Sequence, residues 1–460
     1  MDAPAFMDAK RWTLLAVVVL AVVMRLVAGT VLQANLSRDD DSYRFIANQI
    51  ATEGRFAREL TGREPAVTAY RPPLYPLLLA GMELIDPSAK GGPRDWAVLA
   101  LNVCLGGATA FLAASIAMKL VPSQQGVEWR AGLIAGILTA CDPLLVYNAT
   151  LAMTETLAAA LAAAVLWAIA AWLQRPSAAL AVVIGVLLGL GALTRPIFAP
   201  WLVLIVVLAW RRPISAAVRN TVTWHAVAIA ATAMVVIAPW VIRNVIVMGR
   251  PIASTTHGGY TLLLGNNQNF YEHLRKNGWH APWNDTAFQH AWRGRFRAKS
   301  VDAFLWNGPP SPVPADFDEI ADDQFAKKLA YRSIGEEPAR FAEACAYRAW
   351  QLWNPVPNRT SDSESPQRAA FRYLVGAWNV ALYLMAIWGF IRIRRDQSET
   401  GRAWLLYVLA LAIVLTVVHT FYWSNLRMRV PIVPALCVLA AIGVSSTMAA
   451  KSDTPQPAGA

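Results

Sequence analysis

The stretch Leu180–Trp210, LAVVIGVLLGLGALTRPIFAPWLVLIVVLAW, decides how this chain is folded. It is apolar from end to end except around Thr194-Arg195-Pro196. As one helix it would run about 47 Å at ~1.5 Å per residue, far more than the ~30 Å core of a bilayer requires. Broken at Arg195-Pro196, it becomes a hairpin with two short arms. The turn then has to sit in a cavity lined by protein or water, because lipid leaves backbone polar groups unpaired.

Outward on both sides lie more apolar runs: Trp12–Leu32, Trp96–Leu120, Ala131–Val146, Leu151–Leu173, Val222–Val241, Leu374–Ile391, Trp404–Val418 and Val430–Val444. The first is too long for a cleavable signal and lacks a small-residue cleavage site. With the hairpin these runs make ten spans. The inner side then receives Lys10, Arg11, Arg130, Arg175, Arg211, Arg212, Arg219, Arg392, Arg394, Arg395, Arg402 and Lys451, and the short outer turns keep only Arg195, Arg427 and Arg429. Without the hairpin the cluster after Ile391 lands outside, so the positive-inside bias selects ten spans with both ends cytoplasmic.

Composition agrees. Only 15% of the 460 residues are charged and 56% are apolar. About 25% charged is usual for a soluble protein, so a water-soluble enzyme is excluded. Lys plus Arg exceed Asp plus Glu by 41 to 30. These cations lie in gaps between apolar runs, the arrangement of a membrane protein and not of a nucleic-acid binder. Cys104, Cys141, Cys345 and Cys437 show no paired spacing, so no disulfide framework or zinc site is indicated.

The expected fold is an all-α polytopic membrane protein of about ten helices over residues 1–449, with a disordered cytoplasmic tail at 450–460. Two large polar regions face outward, 33–95 and 242–373. The second contains an expected helix, Pro338–Trp353, whose Phe341, Arg348 and Trp353 suit a helix lying in the membrane interface.

Charged groups gather on that outer side. Asp39, Asp40 and Asp41 repel one another unless a cation, a basic partner or a raised pKa relieves them. They read equally as a cap for a helix Ser42–Glu53 or as a general base or metal ligand. Arg71, in Tyr70-Arg71-Pro72-Pro73-Leu74-Tyr75-Pro76, can anchor to lipid phosphate or hold a substrate phosphate. Glu155, at the outer end of the fourth span, has to face a cavity or partner, or else caps its helix dipole. Arg195, Arg243, Arg427 and Arg429, with His419, fall on the same side. Cations there run against the usual bias and call for an anionic partner, for which a lipid-linked phosphate is the natural fit. Arg25, inside the first span, faces a cavity or snorkels. The stretch from Ser254 to Gln268 carries His257, Asn266 and Asn267, which suit sugar hydroxyls or ordinary turns.

Taken in order, Asp39-Asp40-Asp41-Ser42-Tyr43, Arg71-Pro72-Pro73-Leu74-Tyr75-Pro76, Thr154-Glu155, Leu193-Thr194-Arg195-Pro196, Arg243-Asn244, Gly265-Asn266-Asn267 and Arg427-Met428-Arg429-Val430-Pro431 resemble bacterial membrane glycosyltransferases of family 39, of the GT-C fold. Protein O-mannosyltransferases and the lipid A aminoarabinose transferase are relatives of that family. The resemblance implies transfer of a sugar from a polyprenyl-phosphate carrier to a lipid, glycan or protein acceptor at the outer face of the inner membrane. It implies a carboxylate at Asp39 or Asp40 as base or metal holder, with Asp41 adjoining, and a second acid at Glu155. Arg71, Arg195, Arg243, Arg427 and Arg429 are then candidates for the lipid phosphate. Tyr43, Tyr75, His257, Asn266, Asn267 and His419 are candidates for contacting substrate. One departure stands out: the aminoarabinose branch has an acid and a Lys before its paired prolines, where this chain has Tyr70 and Arg71. A divalent metal therefore stays open, and no other cofactor is indicated. The competing classes are a polytopic transporter, which would place charges at the midplane on repeated halves, and a polysaccharide polymerase or ligase.

Overall fold

The computed structural model describes residues 3–60, 62–86, 93–121, 127–211, 216–359, 363–395 and 398–452. Arg212 and residues 453–460 of the expected tail lie outside the described residues, and residues 450–452 continue the last helix, Val433–Ser452.

Among the described residues, seven helices are long and apolar enough to cross a membrane: Asp8–Val31, Asp95–Leu120, Glu155–Gln174, Thr223–Met248, Pro366–Arg395, Glu399–Phe421 and Leu426–Ser445. The chain is an all-α, multi-pass membrane protein. Glu155–Gln174 is, with Leu426–Ser445, the most enclosed of these helices, with 83% of its apolar window buried against 22% for the first helix. Its run of Ala158, Ala159, Ala162, Ala163 and Ala170 lets neighbouring helices approach closely, since van der Waals fit and not water exclusion holds helices together in lipid.

The hairpin forms as expected from helices Ala178–Ala192 and Phe198–Trp210, joined through Leu193–Ile197. Its first arm lies against the helix Ala216–Met248, and glycine permits the contact: a Cβ at Gly185 would stand 2.6 Å from the Ile229 carbonyl oxygen. The expected span Ala131–Val146 is instead two helices, Val127–Cys141 and Pro143–Asn148. Pro143 cannot continue the first, and the Asp142 carboxylate starts the second by accepting from the N–H groups of Leu144 and Leu145. Arg25 faces the protein, not lipid: it is 1% exposed and donates to the carbonyls of Ala21 and Ala140 over Gly106.

Outside the long helices, residues 33–95 hold the helices Tyr43–Glu53 and Leu74–Ile85 and a two-stranded antiparallel ribbon, Ala57–Leu60 with Arg63–Val67. Residues 258–353 form a helical layer with aromatic cores of its own, one around Phe288 and Trp292 and another around Phe270 and Tyr347. Pro338–Trp353 is a helix with the expected bounds. It does not float at an interface, because Arg348 is fully buried. That guanidinium donates to the carbonyls of Gly265 and Thr420 and to Asn266 Oδ1, so it ties the helical layer to the bundle.

Candidate active site

The short segment 68–73 enters the site from the ribbon. Pro72 and Pro73 restrict the backbone just before the helix Leu74–Ile85, with Pro73 already in helical conformation, and the Leu74 N–H bonds to the Leu193 carbonyl of the hairpin turn at 3.0 Å. That junction sets Arg71 beside the hairpin. Arg71 Nη2 lies 2.5 Å from Asp41 Oδ1, and its Nε donates to the Asp41 carbonyl at 3.0 Å. The guanidinium also sits over the rings of Tyr70, 4.5 Å from the centroid, and Tyr43, 5.5 Å.

The three aspartates divide the work that the sequence left open. Asp39 uses both oxygens to cap the helix Tyr43–Glu53, accepting from the N–H groups of Arg44 (2.9 Å) and Phe45 (2.8 Å). Burial raises its pKa against those two bonds. Asp40 points outward to Arg38 at 2.6 Å. The left-handed conformation of Ser42 (φ 62°) then turns the chain into the helix, and Asp41 alone faces Arg71.

Glu155 is the first residue of its helix and is 2% exposed. The preceding loop is braced by Asn102, which donates to the carbonyls of Ala149 and Leu151. Glu155 Oε1 lies 3.3 Å from Arg195 Nη1 and 3.9 Å from Arg427 Nε. Well-made bonds of this kind measure about 2.7–2.9 Å, so the pairing is loose. The other oxygen, Oε2, is buried with no hydrogen-bond partner among the described residues. Arg195 and Arg427 also touch the thioethers of Met428 and Met153, each at 2.8 Å.

Tyr43 joins the two charged groups. Its ring packs edge-on against Tyr75, with centroids 5.4 Å apart. Burial pushes its hydroxyl up to about pKa 12, and the charges of Arg71, Asp41, Glu155 and Arg195 all act on it. The two charged groups therefore share one electrostatic neighbourhood, with Arg71 over the Tyr43 ring. Glu155 also acts electrostatically on Tyr75, and Arg195 on His419. His419 Nδ1 is 3.4 Å from the Trp423 carbonyl oxygen, while its buried Nε2 is unpaired among the described residues. His257 lies between the rings of Tyr70 (4.3 Å) and Tyr260 (4.9 Å). Enclosure, then Arg71 and Arg58, holds its pKa well below 6.5, so it is neutral at pH 7.

Four sequence candidates lie elsewhere. Arg243 donates to the carbonyls of Thr68 and Phe56, and Arg429 to those of Leu352 and Asn354. Buried guanidinium groups need acceptors, and backbone carbonyls supply those of half-buried Arg243 and of Arg429 Nη1, while Arg429 Nη2 has no hydrogen-bond partner among the described residues. Asn266 donates to the carbonyls of Leu262 and Phe421, whereas Asn267 caps the helix Gln268–Asn277. Both amides fasten the helical layer. Sequence reading missed Asn102 and also Glu319, which accepts from Thr68, Ala69 and Thr256 and pairs with Arg58 at 3.0 Å. Glu319 thereby holds the segment bearing Tyr70 and Arg71. No local signal marks it, since its partners lie far off in the chain.

Among the described residues no group of three or more His, Cys, Asp and Glu converges. Asp41 and Glu155 each face guanidinium groups, whereas a hard divalent cation needs several convergent oxygens. Asp41 and Glu155 therefore do not offer the convergent oxygens that such a cation needs.

No family model matches the chain, and no curated protein matches it in sequence. Solved structures do. The Archaeoglobus fulgidus oligosaccharyltransferase in its apo form matches with a TM-score of 0.54 at 15% identity, over 96% of this chain and 51% of that one. The fold is GT-C. The same archaeal protein, AglB, in complex with an inhibitory peptide and a dolichol-phosphate, matches at a TM-score of 0.53 and 14% identity, covering 98% of this chain and 53% of that one. This GT-C chain thus spans about half the length of the oligosaccharyltransferase structures it matches. ArnT from Cupriavidus metallidurans, bound to undecaprenyl phosphate, aligns more loosely, with a TM-score of 0.41 at 14% identity over 96% of this chain and 81% of that one.

Proposed function

We propose that this protein is a membrane glycosyltransferase that moves a sugar from a polyprenyl-phosphate carrier to an envelope acceptor, at the outer face of the cytoplasmic membrane. One observation carries the reading: Arg71 pairs with Asp41, Arg195 and Arg427 pair loosely with Glu155, and the charges of Arg71, Asp41, Glu155 and Arg195 all act on Tyr43, three cations against two carboxylates. The surplus is one positive charge, and a sugar phosphodiester brings one negative charge. The looseness of the Glu155 pairs leaves both guanidinium groups able to turn toward phosphate oxygens. The dolichol-phosphate held by the archaeal oligosaccharyltransferase adds support from the same fold.

In this reading Asp41, oriented by its ion pair with Arg71, accepts the proton of an acceptor hydroxyl. That oxygen attacks the anomeric carbon, and the bond from this carbon to the phosphate oxygen breaks. The electron pair leaves with the lipid phosphate, whose second negative charge Arg195 and Arg427 offset. Fixed charges in a water-poor site need little rearrangement as this charge grows. Glu155 keeps the two arginines in place between turnovers.

A transporter would use the same charges to bind a solute and would not need a base. Transfer from a synthetic undecaprenyl-phosphate hexose or pentose by the protein in liposomes tests the proposal. Release of undecaprenyl phosphate that depends on added envelope extract is expected. Uptake of solute without any release would refute it.

A further inference from the structure

We propose that a second cavity, walled by aromatic rings beside the 419–427 turn, binds a pyranose ring of the acceptor. The acceptor would then be a glycan, an inference that rests on the transferase reading above. The cavity measures about 660 Å³ and is lined by Trp279, Trp283, Tyr347, Trp350 and Trp423. Three separate pieces of chain supply these rings: the loop after the helix Gln268–Asn277, the helix Pro338–Trp353 and the turn after Phe421. Ring contacts hold the wall together, Trp279 on Tyr347 at 5.8 Å and Trp283 on Trp423 at 4.9 Å. Trp279 and Trp350 remain only half-buried.

Indole faces carry negative charge density, and the C–H groups on a pyranose face are weakly positive, so the two stack while the sugar's hydroxyls reach sideways. The cavity also offers polar groups at its edge. Ser424 is 2% exposed, and its hydroxyl has no hydrogen-bond partner among the described residues. A buried hydroxyl in this state invites a ligand donor or acceptor. Arg372 lies in the wall, but Glu364 pairs with it at 3.0 Å, so its charge does not demand an anion. Arg359 lines the rim as well. Aromatic faces with unpaired hydroxyl capacity fit a sugar ring better than an acyl chain, and an arginine at the rim can donate to sugar hydroxyls.

Position links the cavity to the charged groups of the candidate site. Asn425, in the cavity wall, accepts from the Arg427 N–H at 3.0 Å, and the Trp423 carbonyl faces His419. Four residues of chain span at most about 14 Å, so a sugar on Trp423 lies within a few rings' length of Arg427. A glycan seated there could present its terminal hydroxyl to Asp41.

Saturation-transfer NMR on the purified protein in nanodiscs tests this, with maltotriose, mannotriose and triacetylchitotriose as probes. Native mass spectrometry with undecaprenyl phosphate runs alongside. At least one trisaccharide should bind, and Trp350→Ala and Trp279→Ala should each weaken it about tenfold, the scale of one lost stacking contact. Undecaprenyl phosphate binding should be unchanged in both variants, and Trp350→Phe should restore most of the sugar signal. Binding by none of the probes, or binding indifferent to both tryptophans, would overturn the inference and leave the donor reading standing. Sugar binding without any undecaprenyl phosphate binding would instead strike the donor reading alone.

Discussion

Glu155 Oε1 lies 3.3 Å from Arg195 Nη1, one at the start of the helix Glu155–Gln174 and the other in the turn of a short apolar hairpin. Both side chains are nearly enclosed, at 3% and 12% exposure. Removing a charged pair from water carries a penalty of several kcal/mol per ion, which excellent geometry can offset. A contact this loose, with Glu155 Oε2 unpaired among the described residues, is poorly explained by stability. It is well explained as the resting state of a site that receives another anion.

Asp41→Asn should lower transfer by about 10²- to 10⁴-fold, the usual effect of a lost general base. Asp40→Asn should leave it unchanged, because that side chain points to Arg38 at the surface. Steady-state release of lipid phosphate by the two purified variants measures both. Equal losses in both would place the base elsewhere.

Asp39→Ala should act on folding and not on chemistry. It removes the acceptor of two helix-start N–H groups, so stability should fall by about 1 kcal/mol. Thermal unfolding in detergent checks the loss, and the turnover of the folded fraction should match the parent protein.

The contribution of His257 to stability should decline as pH falls below 6.5, against an opposite contribution from Asp323, whose pKa burial raises to about 6. Folded His257 takes up a proton only well below its ordinary 6.5, whereas the unfolded chain takes one up near 6.5. The unfolded state therefore binds more protons at this residue in that window, and its contribution falls by up to about 1.4 kcal/mol per pH unit until the folded pKa is reached. His257→Phe keeps a ring between Tyr70 and Tyr260 and should remove this decline, so that the melting temperature falls less between pH 6.5 and 5 than in the parent protein. A slope unchanged by the substitution would assign the effect to another group.

The broad fold was legible because lipid imposes length and apolarity on every span. The hairpin around Arg195 follows from chain length against bilayer thickness, and the helix Pro338–Trp353 from its bounding prolines and periodicity. Other features depend on distant partners. The break at Asp142 comes from a cap completed by the following residues, and the ribbon Ala57–Val67 is too short to announce itself. Of the five arginines singled out, Arg71, Arg195 and Arg427 meet carboxylates, while Arg243 and Arg429 bind carbonyls. Composition cannot separate these fates, since each guanidinium simply takes the acceptors that packing brings to it. The aspartate run is similar: only the left-handed turn at Ser42 shows which carboxylate faces inward.

The basic clusters predict the sidedness. A reporter fused after Arg395 should read cytoplasmic, and one inserted between Asn266 and Asn354 should read external. Paired phosphatase and fluorescent-protein fusions decide it, and the reverse pattern would move the candidate site to the cytoplasmic face.

The most direct measurement is equilibrium binding of undecaprenyl phosphate to the purified protein and to Arg195→Ala, Arg427→Ala and Arg243→Ala, followed by native mass spectrometry. The account predicts one lipid per chain, an affinity lower by about 10- to 100-fold in the first two variants, as for one lost charge-assisted bond, and little change at Arg243. Equal affinity in all four proteins would contradict it.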